Sequence, residues 1–229
     1  MGTFQRARSE EQREERRQVI LRTAATMLGE MPLSEVSLNE LSRRVGLAKS
    51  NVLRYFESRE AVLLDLLVQL VGEFIAEIAD RLPAAVDMAA SARGRAASVA
   101  SVLGTTLAAH PMLCELISAQ AGVLERNVSA EAVLNYKRGA HASLGEFTAD
   151  LRRVLPEFGD GEAAEAAMTI LLLAGALWTH AHPPQAVREA YAADPSLVVM
   201  PDGFAESLEK MIGFVLLGIL ADGGALTGM

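Results

Sequence analysis

The sequence predicts an all-α fold on three observations. Apolar residues recur at spacings of three and four along much of the chain, the period of a helix with one buried face. Strand-type alternation of apolar and polar residues is hard to find. Alanine, leucine and glutamate dominate, and only 5% of residues are aromatic. With 229 residues, 51% of them hydrophobic, the chain has material for a substantial core in one domain or two modest ones.

The first helix is expected over residues 10–30, where Ile20, Ala24, Met27 and Leu28 form an apolar stripe. Ahead of the stripe, residues 10–17 read Glu-Glu-Gln-Arg-Glu-Glu-Arg-Arg, a solvated face with i,i+4 Glu/Arg pairs worth ~0.2–0.5 kcal/mol each. Arg6 and Arg8, in a flexible segment before this helix, are candidates to touch phosphate.

Residues 37–56 carry the most specific signal. Ser37 with Glu40 three residues later is a capping box, in which hydroxyl and carboxylate satisfy backbone N–H groups that a new helix leaves orphaned. Leu38, Leu41 and Val45 give the helix one apolar face, and Gly46 stands where a left-handed residue stops it. After Leu47 and Ala48 a second helix is expected over residues 49–56. Val52, Tyr55 and Phe56 pack inward there, and Lys49, Ser50, Leu53 and Arg54 face out. Two short helices joined by a glycine-containing turn make a helix-turn-helix, whose second helix has the width of the DNA major groove.

Such a helix reads bases mainly from its N-terminal residues, so Lys49, Ser50 and Asn51 are candidate base contacts, with Lys49 donating to guanine O6 or N7. Leu53 offers apolar contact to a thymine methyl, and Asn39 and Arg54 add contacts. Ser37, Tyr55 and Arg59 are placed for phosphates, which position a protein without specifying sequence. The competing reading of residues 49–51 is the solvated first turn of any helix.

Through Ile20, Ala24, Val36, Ser37, Leu41, Gly46, Lys49, Tyr55, Phe56, Ser58 and Arg59, at the matching spacings, the sequence resembles the tetracycline-repressor (TetR) family of transcriptional regulators. The resemblance covers about the first quarter of the chain. Pro32 stands where a glycine is usual, Ala48 where a capping serine is usual and Leu53 where a tyrosine is usual. The first two bear on helix ends, the third on what the reading helix presents to DNA. The resemblance implies a homodimer on a pseudo-palindromic operator, and a body whose core surrounds a small-molecule effector.

Downstream, Val62, Leu63, Leu66, Leu67, Leu70, Val71, Phe74, Ile75 and Ile78 keep helical spacing over residues 58–82. That rod would be roughly 35 Å long, with Pro83 ending it. A small-residue segment, 84–95, leads into a helix through Ala108 that His110-Pro111 breaks. A short helix over 112–120 and a long one over 130–155, capped by Ser129, follow. The expected domains are a helix-turn-helix DNA-binding domain at 1–57 and a helical effector-binding and dimerisation domain at 58–229.

Residues 162–180 and 204–222 are apolar nearly all round and must be buried on several sides. Within one chain they cover each other only in part, so a second subunit is the natural cover, and a two-fold axis would make a four-helix interface. The TetR resemblance implies dimerisation at the same place. Between them lies a long loop, 183–203, with Tyr191, Val198, Val199 and Met200, expected as a flap or as a segment that wraps the partner.

The net charge is −8, but its distribution suits a nucleic-acid binder. Residues 1–60 carry 11 Lys/Arg against 9 Asp/Glu, and the remaining 169 carry 10 against 20. No P-loop, dinucleotide fingerprint, Gly-x-Ser-x-Gly or His-Glu-x-x-His occurs, so neither an enzyme nor a cofactor is expected. His180 and His182 lack a nearby third ligand and read as polar residues at a helix end rather than a metal site. Cys114, with no neighbouring base, reads as a buried structural thiol. Met112, Leu116, Tyr136, His141, Phe147 and Trp178 are the candidates for effector contact, each also readable as ordinary core.

A lone cysteine, no signal-peptide core, and apolar runs (166–178 and 211–221) below the roughly 18 residues of a spanning helix lead us to expect a soluble, cytoplasmic protein with no membrane partner. The function expected is a ligand-responsive DNA-binding regulator, a repressor released from its operator by a small molecule. The alternatives are a DNA-bound regulator without a ligand, and a carrier or enzyme with an incidental helix-turn-helix.

Overall fold

The structure is a computed structural model that describes residues 2–222 apart from residue 201, with side chains from residue 10 onward. It is 82% helical, with no strand among the described residues. Two compact units emerge. One comprises the chain up to Gln69 together with Gln120–Lys137; the other comprises Leu70–Ala119 together with the chain from Arg138 onward.

In the first unit, α1 (Gly2–Glu30) starts well before residue 10. The side chains of Arg6 and Arg8 lie outside the described residues. A 3-10 turn, Leu33–Glu35, follows, opened by Pro32 at φ −57 and ψ 148, so proline in the usual glycine position preorganises a turn. Then come α2 (Leu38–Val45) and α3 (Lys49–Val52). Gly46, at φ +74, is the left-handed stop of α2. The core gathers Ile20, Ala24, Met27, Val36, Leu41 and Val52, all at most 1% exposed.

The start of α4 (Arg59–Ala85) adds Val62, Leu63, Leu66 and Leu67 to the buried set. This compact unit therefore runs past residue 57, the division expected from sequence. It also takes in one turn of π-helix, Gln120–Leu124, and the start of α7 (Ala130–Val154), where Ser129 Oγ accepts from the Ala132 backbone N–H at 3.2 Å.

Pro83 does not end α4, which continues to Ala85. In the last turn the missing N–H forfeits a single ladder bond, a small loss beside the complete burial of Leu82. The second unit contains α5 (Ala92–Ala108), α6 (Pro111–Ala119), α8 (Asp160–Ala181), α9 (Gln185–Ala193) and α10 (Gly203–Asp222). Its packing is dense where glycine permits: α8 approaches α6 so closely that a Cβ at Gly175 would stand 2.7 Å from Ile117 Cγ2. Gly104 does the same for α5 against α10, where Glu209 Cβ would be 3.0 Å away.

Buried Arg95 binds the Val154 carbonyl at 3.1 Å and the Ala90 carbonyl at 2.6 Å, and pairs with Glu157. Cys114 is 0% exposed, and burial pushes the pKa of its thiol up to about 12. The segment expected as a loop, 183–203, contains α9 and a 3-10 turn, Pro195–Leu197. By length and composition α8, at 22 residues, is long and apolar enough to cross a membrane, since the helix outruns the apolar stretch 166–178; here it packs against α6 and α10.

Candidate nucleic-acid interface

The helix-turn-helix is positioned from below. Val52 (0% exposed) and Phe56 (4%) are the anchors, leaving Lys49, Ser50, Asn51, Leu53 and Arg54 exposed above them. The recognition helix is shorter than the expected 49–56: α3 ends at Val52, and the chain tightens through i→i+3 bonds from Arg54 N to Asn51 O (3.3 Å) and Tyr55 N to Val52 O (2.9 Å). Ala48 provides no side-chain cap, so nothing local lengthens the helix at its start.

On α2, Ser37 Oγ accepts from the Glu40 backbone N–H at 3.2 Å. The reciprocal half of the expected capping box is missing, because the Glu40 carboxylate binds Arg43 Nε (2.8 Å) and Nη2 (2.6 Å) and Arg44 Nε (2.8 Å). Those two guanidiniums, Arg43 first and then Arg44, hold the Glu40 carboxyl at about 2. Arg44 also pairs with Glu30, which ties α2 to the end of α1. Ser37 and Asn39 are exposed on the same helix.

Two arginines next to the recognition turn face inward. Arg17 Nη1 donates to the Tyr55 carbonyl at 3.0 Å, its guanidinium lies 4.4 Å from the Phe56 ring centroid, and it pairs with Asp65. Burial pushes the Asp65 carboxyl above its usual range, against the opposing pull of Arg17. Arg59 Nη1 donates to the Val36 carbonyl at 3.0 Å, and Nε lies 3.3 Å from Glu60 Oε1. The Arg59 guanidinium, placed for phosphate from sequence, is thus engaged in holding the start of α4 to the end of the 3-10 turn.

A different set of cations faces out. Arg13 and Arg16 of α1 join Arg54 and half-buried Tyr55 along two neighbouring clefts of ≈ 370 and ≈ 390 Å³. Asn51 lines the second of these. Lys49, Arg13, Arg16 and Arg54 have no ion-pair partner among the described residues. No carboxylate lines these two clefts beside the arginines, an arrangement that favours a polyanion. The sequence by itself puts Arg13 and Arg16 in a solvated charge run. The signal was there in the spacing: Arg13, Arg16 and buried Ile20 succeed one another at three and four, so the stripe that packs against the helix-turn-helix continues as arginine. A third cleft of ≈ 460 Å³ is bordered by Leu53, Arg54, Tyr55 and the first turns of α7 at Ser129, Ala132 and Asn135.

Residues 69–223 match the family described as "Tetracyclin repressor-like, C-terminal domain", and residues 20–66 match "Bacterial regulatory proteins, tetR family". The chain belongs to the TetR family. It is a transcriptional regulator with a DNA-binding helix-turn-helix domain.

Among curated TetR-type proteins, the transcriptional regulator EthR of Mycobacterium tuberculosis is 37% identical over 60 residues, which are 26% of this chain and 28% of EthR. The match thus spans less than a third of that relative. Among solved structures, a possible TetR family transcriptional regulator from Streptomyces coelicolor A3(2) superposes with a TM-score of 0.56 at 20% identity, over 90% of this chain and 98% of that one. The fatty acid degradation regulator FadR from Bacillus halodurans gives 0.53 at 16% identity, over 89% and 95%. These likenesses concern the fold.

In this TetR-family chain the six effector candidates have different neighbours. Leu116 and Phe147 are 0% exposed, and Phe147 packs edge-on against Phe74 at 5.8 Å. Met112 is half-buried and His141 exposed. Trp178 Nε1 donates to Glu115 at 2.7 Å, and its ring lies 3.7 Å from that of His182 and 5.2 Å from that of Phe204. Tyr136, 5% exposed, belongs to the first compact unit; burial pushes its phenol up, reinforced by Glu125. None of the six lines the three clefts described above. Among the described residues, no group of three or more His, Cys, Asp or Glu is arranged to hold a metal.

Proposed function

We propose that this regulator is a homodimeric repressor that reads a pseudo-palindromic operator through α3 and is released by a small molecule bound in its effector domain, in the cytoplasm. The observation that carries the DNA part is the outward, unpaired set Lys49, Arg54, Arg13 and Arg16 around exposed Ser50, Asn51 and Leu53. In this reading Lys49, Ser50, Asn51 and Leu53 contact base edges, with Asn39 beside them, while Arg13, Arg16, Arg54, Tyr55 and Ser37 contact phosphates. Arg59 contributes by holding α4 in place. A carrier or enzyme has no need of such a basic, outward surface.

Support for the dimer comes from α8 and α10, which expose Met168, Leu172, Met211 and Phe214 at 39–62%. Release requires that the effector bind more tightly to a state whose two heads do not fit the operator, and the shift can be no larger than that difference in affinity. The helices α4 and α7 each contribute residues to both compact units and are the natural levers. The complete burial of Leu116 and Phe147 favours, as a second reading, a regulator that works without a small molecule.

The deciding experiment is electrophoretic binding to the DNA flanking the chain's own coding region, with and without metabolite pools. Sequence-specific retardation reversed by a metabolite supports the first reading. Retardation that no pool reverses favours the second, and no specific retardation would sink the operator assignment.

A further inference from the structure

The helix α7 begins on half a capping box. Ser129 Oγ accepts from the Ala132 backbone N–H at 3.2 Å. Ala132 itself stands at the third helical position, where a glutamate or glutamine would return a bond to the Ser129 backbone N–H. The missing acceptor comes from 72 residues away: Glu57 Oε1 accepts from the Ser129 N–H at 2.5 Å. Glu57 belongs to the turn that follows the recognition helix, and both partners lie in the first compact unit.

Other contacts set both ends of this bond. Glu57 stands between Phe56, which is 4% exposed and donates its backbone N–H to the Val52 carbonyl at 3.1 Å, and Ser58. Ser58 Oγ accepts from the Ala61 N–H at 3.1 Å and so caps α4. At the other end, Glu125 accepts from Gln120 Nε2 at 2.8 Å and from Lys137 Nζ at 2.6 Å, joining the π-helical turn to α7 on either side of Ser129. Glu57 and Ser129 both border the ≈ 460 Å³ cleft, with Leu53, Arg54 and Tyr55 beside them.

We propose that Glu57 is a positioning residue for DNA recognition: by completing the cap of α7 it fixes the turn that carries Leu53, Arg54 and Tyr55. With four residues, α3 is too short to hold its own C-terminal end. The turn after it is therefore held from outside, by Arg17 of α1 at the Tyr55 carbonyl (3.0 Å) and by α7 at Glu57. Glu57 stays off the DNA in this role, since a carboxylate repels phosphate. Its contribution is to order the turn beforehand, so that the cost of ordering does not fall on the binding step. The inference rests on the reading of α3 as the helix that contacts bases.

The test uses the full chain and moves the carboxylate. In the double variant Glu57→Ala with Ala132→Glu, net charge is that of the wild type and α7 regains a cap within its own first turn, but the tie to the recognition turn is gone. Ala132 borders the open cleft, which leaves room for the longer side chain. The expected result is a wild-type unfolding midpoint with faster backbone hydrogen exchange over residues 53–57. Binding to the operator-bearing duplex from the flanking DNA should weaken about fivefold, the equivalent of one lost cap bond. The loss should be larger on that duplex than on a random one, with no change in the slope of log K against log salt, which separates positioning from charge. Glu57→Gln removes the charge but keeps an oxygen acceptor, and should hold exchange slow and operator binding at or above that of the wild type. A double variant that binds the operator duplex as tightly as the wild type overturns the proposal. So does unchanged exchange over residues 53–57 in the single variant Glu57→Ala, a measurement that needs no DNA and decides the matter even where the double variant is unstable. If the wild type binds no duplex specifically, the reading of α3 fails, and the exchange comparison alone judges the tie.

Discussion

Arg17 Nη1 donates to the backbone carbonyl of Tyr55 at 3.0 Å, so a side chain of the first helix holds the turn that follows the recognition helix. The same guanidinium covers the Phe56 ring and pairs with Asp65 of α4. Arg17→Met keeps part of the stem but removes the donors, leaving Asp65 without its partner. We expect it to lower stability by about 1.5–3 kcal/mol, the range for a lost bond to a charged group, and to weaken DNA binding with it. Urea denaturation beside DNA titration checks this; unchanged stability would mean that the clamp contributes nothing.

Arg13→Ala, Arg16→Ala and Arg54→Ala should each weaken binding to operator and random duplex alike, because they remove contacts to phosphate. Each should reduce the slope of log K against log salt by about one unit, with no change in the unfolding midpoint. Arg59→Ala should behave differently, destabilising the head through loss of its bond to the Val36 carbonyl. Slopes unchanged in all three outward variants would remove α1 from the interface.

Leu53 is 43% exposed on the side away from buried Val52 and Phe56, which leaves its side chain available to a base. Leucine cannot hydrogen-bond a phosphate, so its contact should be with a thymine methyl. Replacing that thymine by uracil should weaken wild-type binding, with a ceiling of ~1–3 kcal/mol, and leave Leu53→Ala indifferent. If every such replacement in the half-site is silent for the wild type, Leu53 reads no base.

Leu172 and Leu216 both stand in the apolar stretches expected to cover one another across a dimer, yet Leu172 is 62% exposed and Leu216 0% exposed. Leu172→Asp should give a folded monomer. Leu216→Asp should unfold the second unit, because a carboxylate buried without a partner costs several kcal/mol. Phe214→Asp, at a position 59% exposed, should follow Leu172. Sedimentation with far-UV dichroism separates the two outcomes, and a folded Leu216→Asp protein would contradict the packing described for α10.

Glu40 is held at about 2, well below its usual 4.5, by Arg43 and then Arg44. A carboxyl depressed in the folded state contributes stability that is fully present above its unfolded pKa and is lost as pH falls through the folded one. The advantage of wild type over Glu40→Gln should therefore hold above pH 4.5 and fade between there and about 2. Equal acid-unfolding curves for the two proteins would show that the Arg43 and Arg44 bonds add nothing to folding.

What the sequence determined by itself is the set of elements whose causes are local. Helical period, the Ser37 and Ser129 caps and the left-handed stop at Gly46 act within about a turn of the chain, and they place α2 and α7 with little displacement. The helix-turn-helix was legible for the same reason, and with it the outward set from Lys49 to Arg54. The tertiary structure alone decided where the long side chains go. Arg17 finds its partners 38 and 48 residues away, and Arg59 finds Val36 23 residues back, so neither was legible in a charge run or a motif. Likewise the choice of Leu216 for the core and Phe214 for the surface of α10 depends on which sides α5 and α8 cover, and a helix apolar all round carries no mark of that.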